Sequence, residues 1–233
     1  MKESINLSSH WLSVAFWQVV LESCYEQLPK VLPAIFANHE RCERFRAGSD
    51  YNTGSISVAS GVCLYAVCRH FQVSRVTEIG TFIGKSTSSI ALALGHNGPD
   101  GVIHTCDRDN ACFEPWEGFG CRVRSFPRKT STEMLTELAQ APEKTDLFYF
   151  DGRLEPADMP LIGKLAHPGT LYAFDDFEGT EKGVANAAYL RASLSGYVLI
   201  EPCSPELLRQ YGIQGRSLTA LLFNTDNFLL TNQ

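Results

Sequence analysis

The stretch that most constrains this chain is Val76 to Ala93, VTEIGTFIGKSTSSIALA. A β-branched run turns through Gly80 and Gly84 and continues as apolar and small residues at helical spacing, the pattern of a strand, a tight loop and a helix N-terminus. Glycines let the backbone approach a ligand closely, and the unpaired N–H groups of a helix starting near Lys85 or Ser86 attract polar or anionic groups. Glu78 stands at the carboxyl end of the strand, where open α/β sheets bind ligands. The stretch therefore reads as a nucleoside-cofactor site. A phosphate-binding P-loop needs four residues between its glycines before Lys-Ser, and Thr81, Phe82 and Ile83 supply only three. A dinucleotide fingerprint needs glycine where Phe82 stands and a third glycine where the chain has moved on to Lys85 and Ser86.

Four further segments read as parallel strands ending in chemistry. Gly101 to Asp107, GVIHTCD, closes on Asp107, 29 residues after Glu78. An acid ending the second strand of a nucleotide-binding unit accepts from both ribose hydroxyls, because a carboxylate is purely an acceptor. Cys121 to Pro127 alternates as a strand, and Thr130-Ser-Thr-Glu133 is a capping box opening the next helix. Asp146 to Gly152, DLFYFDG, is continuously apolar before Asp151, as a central strand buried on both faces should be. Gly169 to Phe177, GTLYAFDDF, follows a helix over Pro156 to Ala166 and carries Asp175 and Asp176. Adjacent parallel strands bring Asp151 and the Asp175/Asp176 pair to one edge. Three such carboxylates repel unless a cation binds or a proton is retained, and hard oxygen donors suit Mg²⁺, Ca²⁺ or Mn²⁺.

The spacing Glu78-x-Gly80-x-x-x-Gly84 resembles motif I of class I S-adenosylmethionine-dependent methyltransferases, in the catechol O-methyltransferase-like form. DDFEGTEKGV is similar to the macrocin-type sugar O-methyltransferases, which carry paired acids at this place. The resemblance covers roughly residues 50 to 225. It implies an α/β fold with a doubly wound, seven-stranded, mostly parallel sheet whose final strand is reversed, the last two strands being Gly196 to Glu201 and Ser217 to Asn224. It also implies S-adenosylmethionine held by Glu78, Gly80, Thr81, Phe82, Gly84, Ser86, Asp107 and Asp151, with Arg108 beside the adenine and the Lys129–Thr130 corner at its edge; Ser55 and Ser57 would border the methionine end. A divalent metal, Mg²⁺ for example, would lie on Asp151, Asp175 and Asp176, the last replacing the family's Asn. The family's lysine base falls on Leu154. Asp151, Arg153 and His167 are the catalytic candidates in its place, with Glu155 and His10 as further ones, although Arg153 stays protonated and is a poor base.

Residues 1 to 54 form an N-terminal helical extension ahead of a methyltransferase domain at 55 to 233, with a turn-rich boundary at Ala47 to Gly54, AGSDYNTG. Trp11, Phe16, Trp17 and Tyr25 pack this extension on the domain or on a second copy in a homodimer, or line a substrate pocket. A net charge of −6 argues against nucleic acid as partner. Eight cysteines without metal spacing read as reduced thiols in a cytoplasmic protein. The apolar stretch from Trp11 to Leu21 is too short and too interrupted for a membrane span or a signal peptide.

The function expected is methyl transfer from S-adenosylmethionine to a hydroxyl of a small molecule, assisted by a divalent metal. The alternatives are a metal-independent N- or O-methyltransferase, an NAD(P)-dependent oxidoreductase on the same sheet, and a non-catalytic binding module. Phe82 and the absence of a Tyr-x-x-x-Lys pair count against the oxidoreductase.

Overall fold

The computed structural model describes residues 2–48, 54–108 and 116–224, with backbone only for 2–9 and 48. Most of the boundary segment at Ala47 to Gly54, and Cys112, lie outside them.

Seven strands form one sheet in the order β3-β2-β1-β4-β5-β7-β6. The strands are β1 (Arg75–Ile79), β2 (Val102–Asp107), β3 (Arg122–Pro127), β4 (Leu147–Phe150), β5 (Leu171–Phe174), β6 (Tyr197–Ile200) and β7 (Ala220–Asn224). β1 to β5 run parallel, and β7 is antiparallel to both its neighbours. This is the doubly wound sheet with one reversed strand that the resemblance implied. Strand order reverses between β1 and β4, so the carboxyl ends of these two strands form the crevice where such sheets take ligands.

The sheet is central because β4 and β5 bury every residue. On one face Phe148, Phe150, Tyr172 and Phe174 stack ring on ring, with centroids 5.4 to 5.9 Å apart. Stacked aromatics at this spacing add to their area burial. Helices α5 (Ser131–Leu138), α6 (Asp158–Leu165) and α7 (Lys182–Arg191) belong to this side of the core. On the opposite face α3 (Val58–His70) is buried from Ala59 through Cys68. A helix apolar all round needs neighbours all round. They are α1 (Lys2–Glu22), α2 (Leu28–Glu43) and α4 (Lys85–Asn97). The remaining helix, α8 (Pro205–Gln210), was not foreseen; Ser204 caps it and Pro205 occupies its first turn.

The N-terminal helices share the main core. Phe16, Trp17, Val20 and Leu21 of α1 and Leu28, Val31 and Ile35 of α2 are buried with α3 and the sheet. Trp17 also donates its indole N–H to the carbonyl of Glu201 at 2.7 Å. Trp11 and Tyr25 are exposed instead. Among the described residues no helix is long and apolar enough to cross a membrane, and the described cysteines form no disulfide.

Trp17→Ala is expected to cost about 3–5 kcal/mol of unfolding free energy, the range for removing a large buried aromatic. Denaturant titration checks this; an unchanged midpoint would mean that α1 is not part of the cooperative core.

Candidate active site

The crevice is built from the β1–α4 loop crossing the β4–α6 loop. The N–H groups of Asp151 and Gly152 both donate to the carbonyl of Ile79, at 2.8 and 2.7 Å. A Cβ on Gly80, whose φ is +99°, would stand 2.9 Å from the Asp151 carbonyl carbon and 2.9 Å from the Gly152 nitrogen. Only glycine allows both the left-handed backbone and this crossing. Phe82 is also left-handed, with φ at +46°, a conformation a bulky residue adopts only when its surroundings impose it. Its N–H donates to Asp107 Oδ2 at 2.7 Å, and the Arg46 guanidinium lies 5.1 Å from its ring centroid. Gly84, φ +84°, then caps α4.

Fully buried, Glu78 accepts from Ser86 Oγ and Thr87 Oγ1, each at 2.5 Å. It thus holds the first turn of α4 to the end of β1, and the Ser86 hydroxyl is spent on that task. Burial pushes the Glu78 carboxyl up to about 7, against the pull of the hydroxyls of Ser86, Thr105 and Thr87. Thr81 is buried, sharing a hydrogen bond with Thr105 at 2.5 Å. Lys85 bonds Glu43 of α2 at 2.5 Å, so the Gly-Lys-Ser sequence serves helix packing. Glu43 accepts from Arg46 as well, and these two cations hold its carboxyl down at about 2.

Asp107 stands at the carboxyl end of β2, where it accepts from the Phe82 N–H. Arg108 is exposed and 3.5 Å from Glu155. Lys129 bonds Glu137 at 2.8 Å, and Thr130 makes the capping box with Glu133 as read from sequence. Ser131 and Thr132 donate to the buried Asp158, at 2.7 and 2.6 Å, tying α5 to α6. Ser55 accepts from Arg46 at 2.9 Å, and the Ser57 hydroxyl caps α3 and donates to the Arg216 carbonyl.

At the edge, Asp151, Asp175 and Asp176 each bring a carboxylate oxygen within 4.8 Å of the others. Asp176 reaches this position from a left-handed backbone, φ +50°, which aspartate tolerates better than most residues. Asp175, 4% exposed, accepts from Thr219 Oγ1 at 3.2 Å. Burial raises the carboxyls of both Asp175 and Asp151, with neighbouring carboxylates adding to the rise at each and Lys182 opposing it.

Lys182 was not foreseen. Its ammonium lies 2.7 Å from Asp151 Oδ1 and 3.0 Å from Asp176 Oδ2. It opens α7, the end of a helix where a cation opposes the dipole; that mismatch, six residues beyond an Asp-Asp pair, was the available signal. Asn186, one turn on, accepts from Leu154 N–H at 3.1 Å and donates to the Gly152 carbonyl at 2.8 Å.

The catalytic candidates fare differently. Asp151 is at the edge. Arg153 is exposed and has no hydrogen bond or ion pair among the described residues. His167 requires correction: it lies between α6 and β5, at the amino end of the sheet, where its Nε2 is 3.1 Å from Asp146 Oδ1. Loops that enter parallel strands lie opposite the carboxyl edge, which removes His167 from the chemistry. His10 is 3.7 Å from Glu201 beyond β6, on the far side of β7 from β5.

Residues 77–177 match the model of a methyltransferase domain. No curated protein matches the sequence. Among solved structures, the chain is similar to the O-methyltransferase TomG of Streptomyces achromogenes, solved with SAM and involved in tomaymycin synthesis: 20% identity, TM-score 0.56, 79% of this chain and 88% of that one. It is also similar to an O-methyltransferase of Bacillus cereus in complex with SAH, at 16% identity, TM-score 0.54, 90% of this chain and 98% of that one. Cofactor-bound Rv0187 from MTB gives 21% identity and a TM-score of 0.55 over 83% of this chain and 89% of that one. At these identities the likeness is one of fold.

Between the ordinary ionisation near 4.5 and the raised value of about 7, folded Glu78 holds a proton that the unfolded chain has released. The folded state binds more protons across that window, so its stability falls as pH rises through it. Glu78→Gln should reduce that fall between pH 5 and pH 8 by up to about 3 kcal/mol, as read from urea titrations at both pH values. An identical pH slope in the two proteins would mean that Glu78 is ionised in the fold.

Proposed function

We propose that this chain, whose residues 77–177 match a methyltransferase domain and whose sheet is doubly wound with one reversed strand, transfers a methyl group from S-adenosylmethionine to a hydroxyl of a small molecule. The observation that carries this reading is the convergence, at one switch point, of the Asp107–Phe82 bond with the crossing of Gly80 over Asp151. Asp107, at the carboxyl end of the second strand, would accept from the ribose hydroxyls, a carboxylate being purely an acceptor with two oxygens. The glycine loop and the first turn of α4 would receive the amino-acid part, with Asp151 beside it, and the Lys129–Thr130 corner would border the adenine. When bound, S-adenosylmethionine would supply an electrophilic methyl carbon to the acceptor oxygen, with the C–S electron pair staying on sulfur and the hydroxyl proton passing to water. The protein's contribution is chiefly orientation of the acceptor oxygen at the edge of β4 and β5.

The three edge carboxylates have the chemistry of a hard-cation donor set, as the Mg²⁺ expectation requires. With Lys182 already bonded to two of them, the donor set does not fit a metal as it stands, and that contact favours the metal-independent reading. The exposed Trp11, Leu12 and Val19 of α1 support keeping the homodimer as part of the proposal.

Calorimetric titration with S-adenosylhomocysteine, with NADH as control, tests the assignment. Micromolar binding is expected, weakened about 10- to 100-fold in Asp107→Ala, the effect of losing hydrogen bonds to a charged group. Full affinity in Asp107→Ala would overturn the ribose assignment, and binding of NADH in preference would overturn the function.

A further inference from the structure

A divalent ion at the carboxyl edge would need the space between Asp151, Asp175 and Asp176, whose oxygens converge within 4.8 Å. Lys182 already contacts that cluster on two sides, at 2.7 and 3.0 Å. The lysine is delivered there by contacts that do not involve its own side chain. Gly183, the next residue, lies so close under β5 that a Cβ would stand 1.9 Å from the Asp175 carbonyl oxygen. Asn186 fastens the same helix to Gly152 and Leu154. Helix α7 is therefore seated on the loops after both β4 and β5, and its first residue has to meet the acids. A lysine at this helix end is unfavourable in isolation; the acids compensate it, as it compensates them. A second cation introduced beside it would face a like charge at a few ångströms.

We propose that Lys182 is the resident cation of this site, standing where a divalent metal would otherwise bind and positioning the acceptor oxygen in its place. An ammonium has three N–H donors, and Asp151 and Asp176 take two. The one that remains holds a single oxygen. A divalent ion, with several open positions, would bind two neighbouring hydroxyls of a diol together. The acceptor class that follows is a molecule presenting one hydroxyl to the site, a phenol or an isolated alcohol, and not a chelating vicinal pair. This inference rests on the methyl-transfer reading for the acceptor, while the cation assignment stands on geometry alone.

The test is Mn²⁺ binding to the full chain, followed by electron paramagnetic resonance, for the wild type and for Lys182→Ala, Lys182→Met and Lys182→Arg. Thermal denaturation verifies folding, and the methionine variant keeps the lysine's length should the alanine variant fail to fold. Wild type and Lys182→Arg should leave Mn²⁺ free up to about 1 mM, whereas the uncharged variants should bind it at least about tenfold more tightly, because three carboxylates have lost their counter-charge. Equal Mn²⁺ affinity in wild type and uncharged variants, or no binding in any of them, overturns the proposal. S-adenosylhomocysteine titration of the same samples separates the two readings: if it fails while the Mn²⁺ pattern holds, methyl transfer is lost and the lysine assignment survives.

Discussion

A carboxylate buried without exposure to water must be satisfied from within the protein, and in this fold that requirement falls on Glu78. Its two oxygens take hydroxyl hydrogens from consecutive residues at the start of α4, which fixes where the helix begins relative to β1. Everything between, the Gly80 turn, the left-handed Phe82 and the Gly84 cap, is a loop whose two ends are thereby nailed down. The loop in turn sets Phe82 against Asp107 and Gly80 against Asp151. The site is organised by a fully buried residue, and Asp107 and Asp151 meet the loop that it holds in place.

The carboxyl edge follows a different logic. Parallel strands deliver Asp151 and Asp175 side by side whatever their chemistry, because β4 and β5 are in register from Leu147 opposite Leu171 to Phe150 opposite Phe174. Register alone would leave a repulsive cluster. Seating α7 against β5 through Gly183 brings in the positive charge that makes the cluster tolerable, and Thr219 from β7's approach satisfies part of Asp175.

Much of this was legible in the sequence because strand ends and glycine turns are local signals. Six of the seven strands lie within the segments expected of them and β1 begins one residue before its segment, at Arg75, and Thr130 caps α5 as its spacing to Glu133 indicates. What escaped was contact between distant segments. Nothing near Glu78 says that its carboxylate turns inward to Ser86 and Thr87, and nothing near Lys182 names Asp151, thirty-one residues earlier, as its partner. Placing His167 among the catalytic groups was an error the sequence itself could have prevented: a residue between a helix and the next parallel strand belongs to the amino end of the sheet, where Asp146 holds it. The role of the Lys85–Glu43–Arg46 cluster was hidden in the same way, since α2 and α4 meet only after folding.

That last cluster has a structural consequence. Arg46 touches Phe82 by its guanidinium face, Glu43 by a two-pronged bond and Ser55 by a third contact, while Glu43 also grips the first residue of α4. The end of α2, the tip of the glycine loop and the approach to α3 are thus laced together by one acid and two cations. The tip of the glycine loop and the chain leading into α3 therefore share Arg46 as a common contact, although they lie on different segments of the chain.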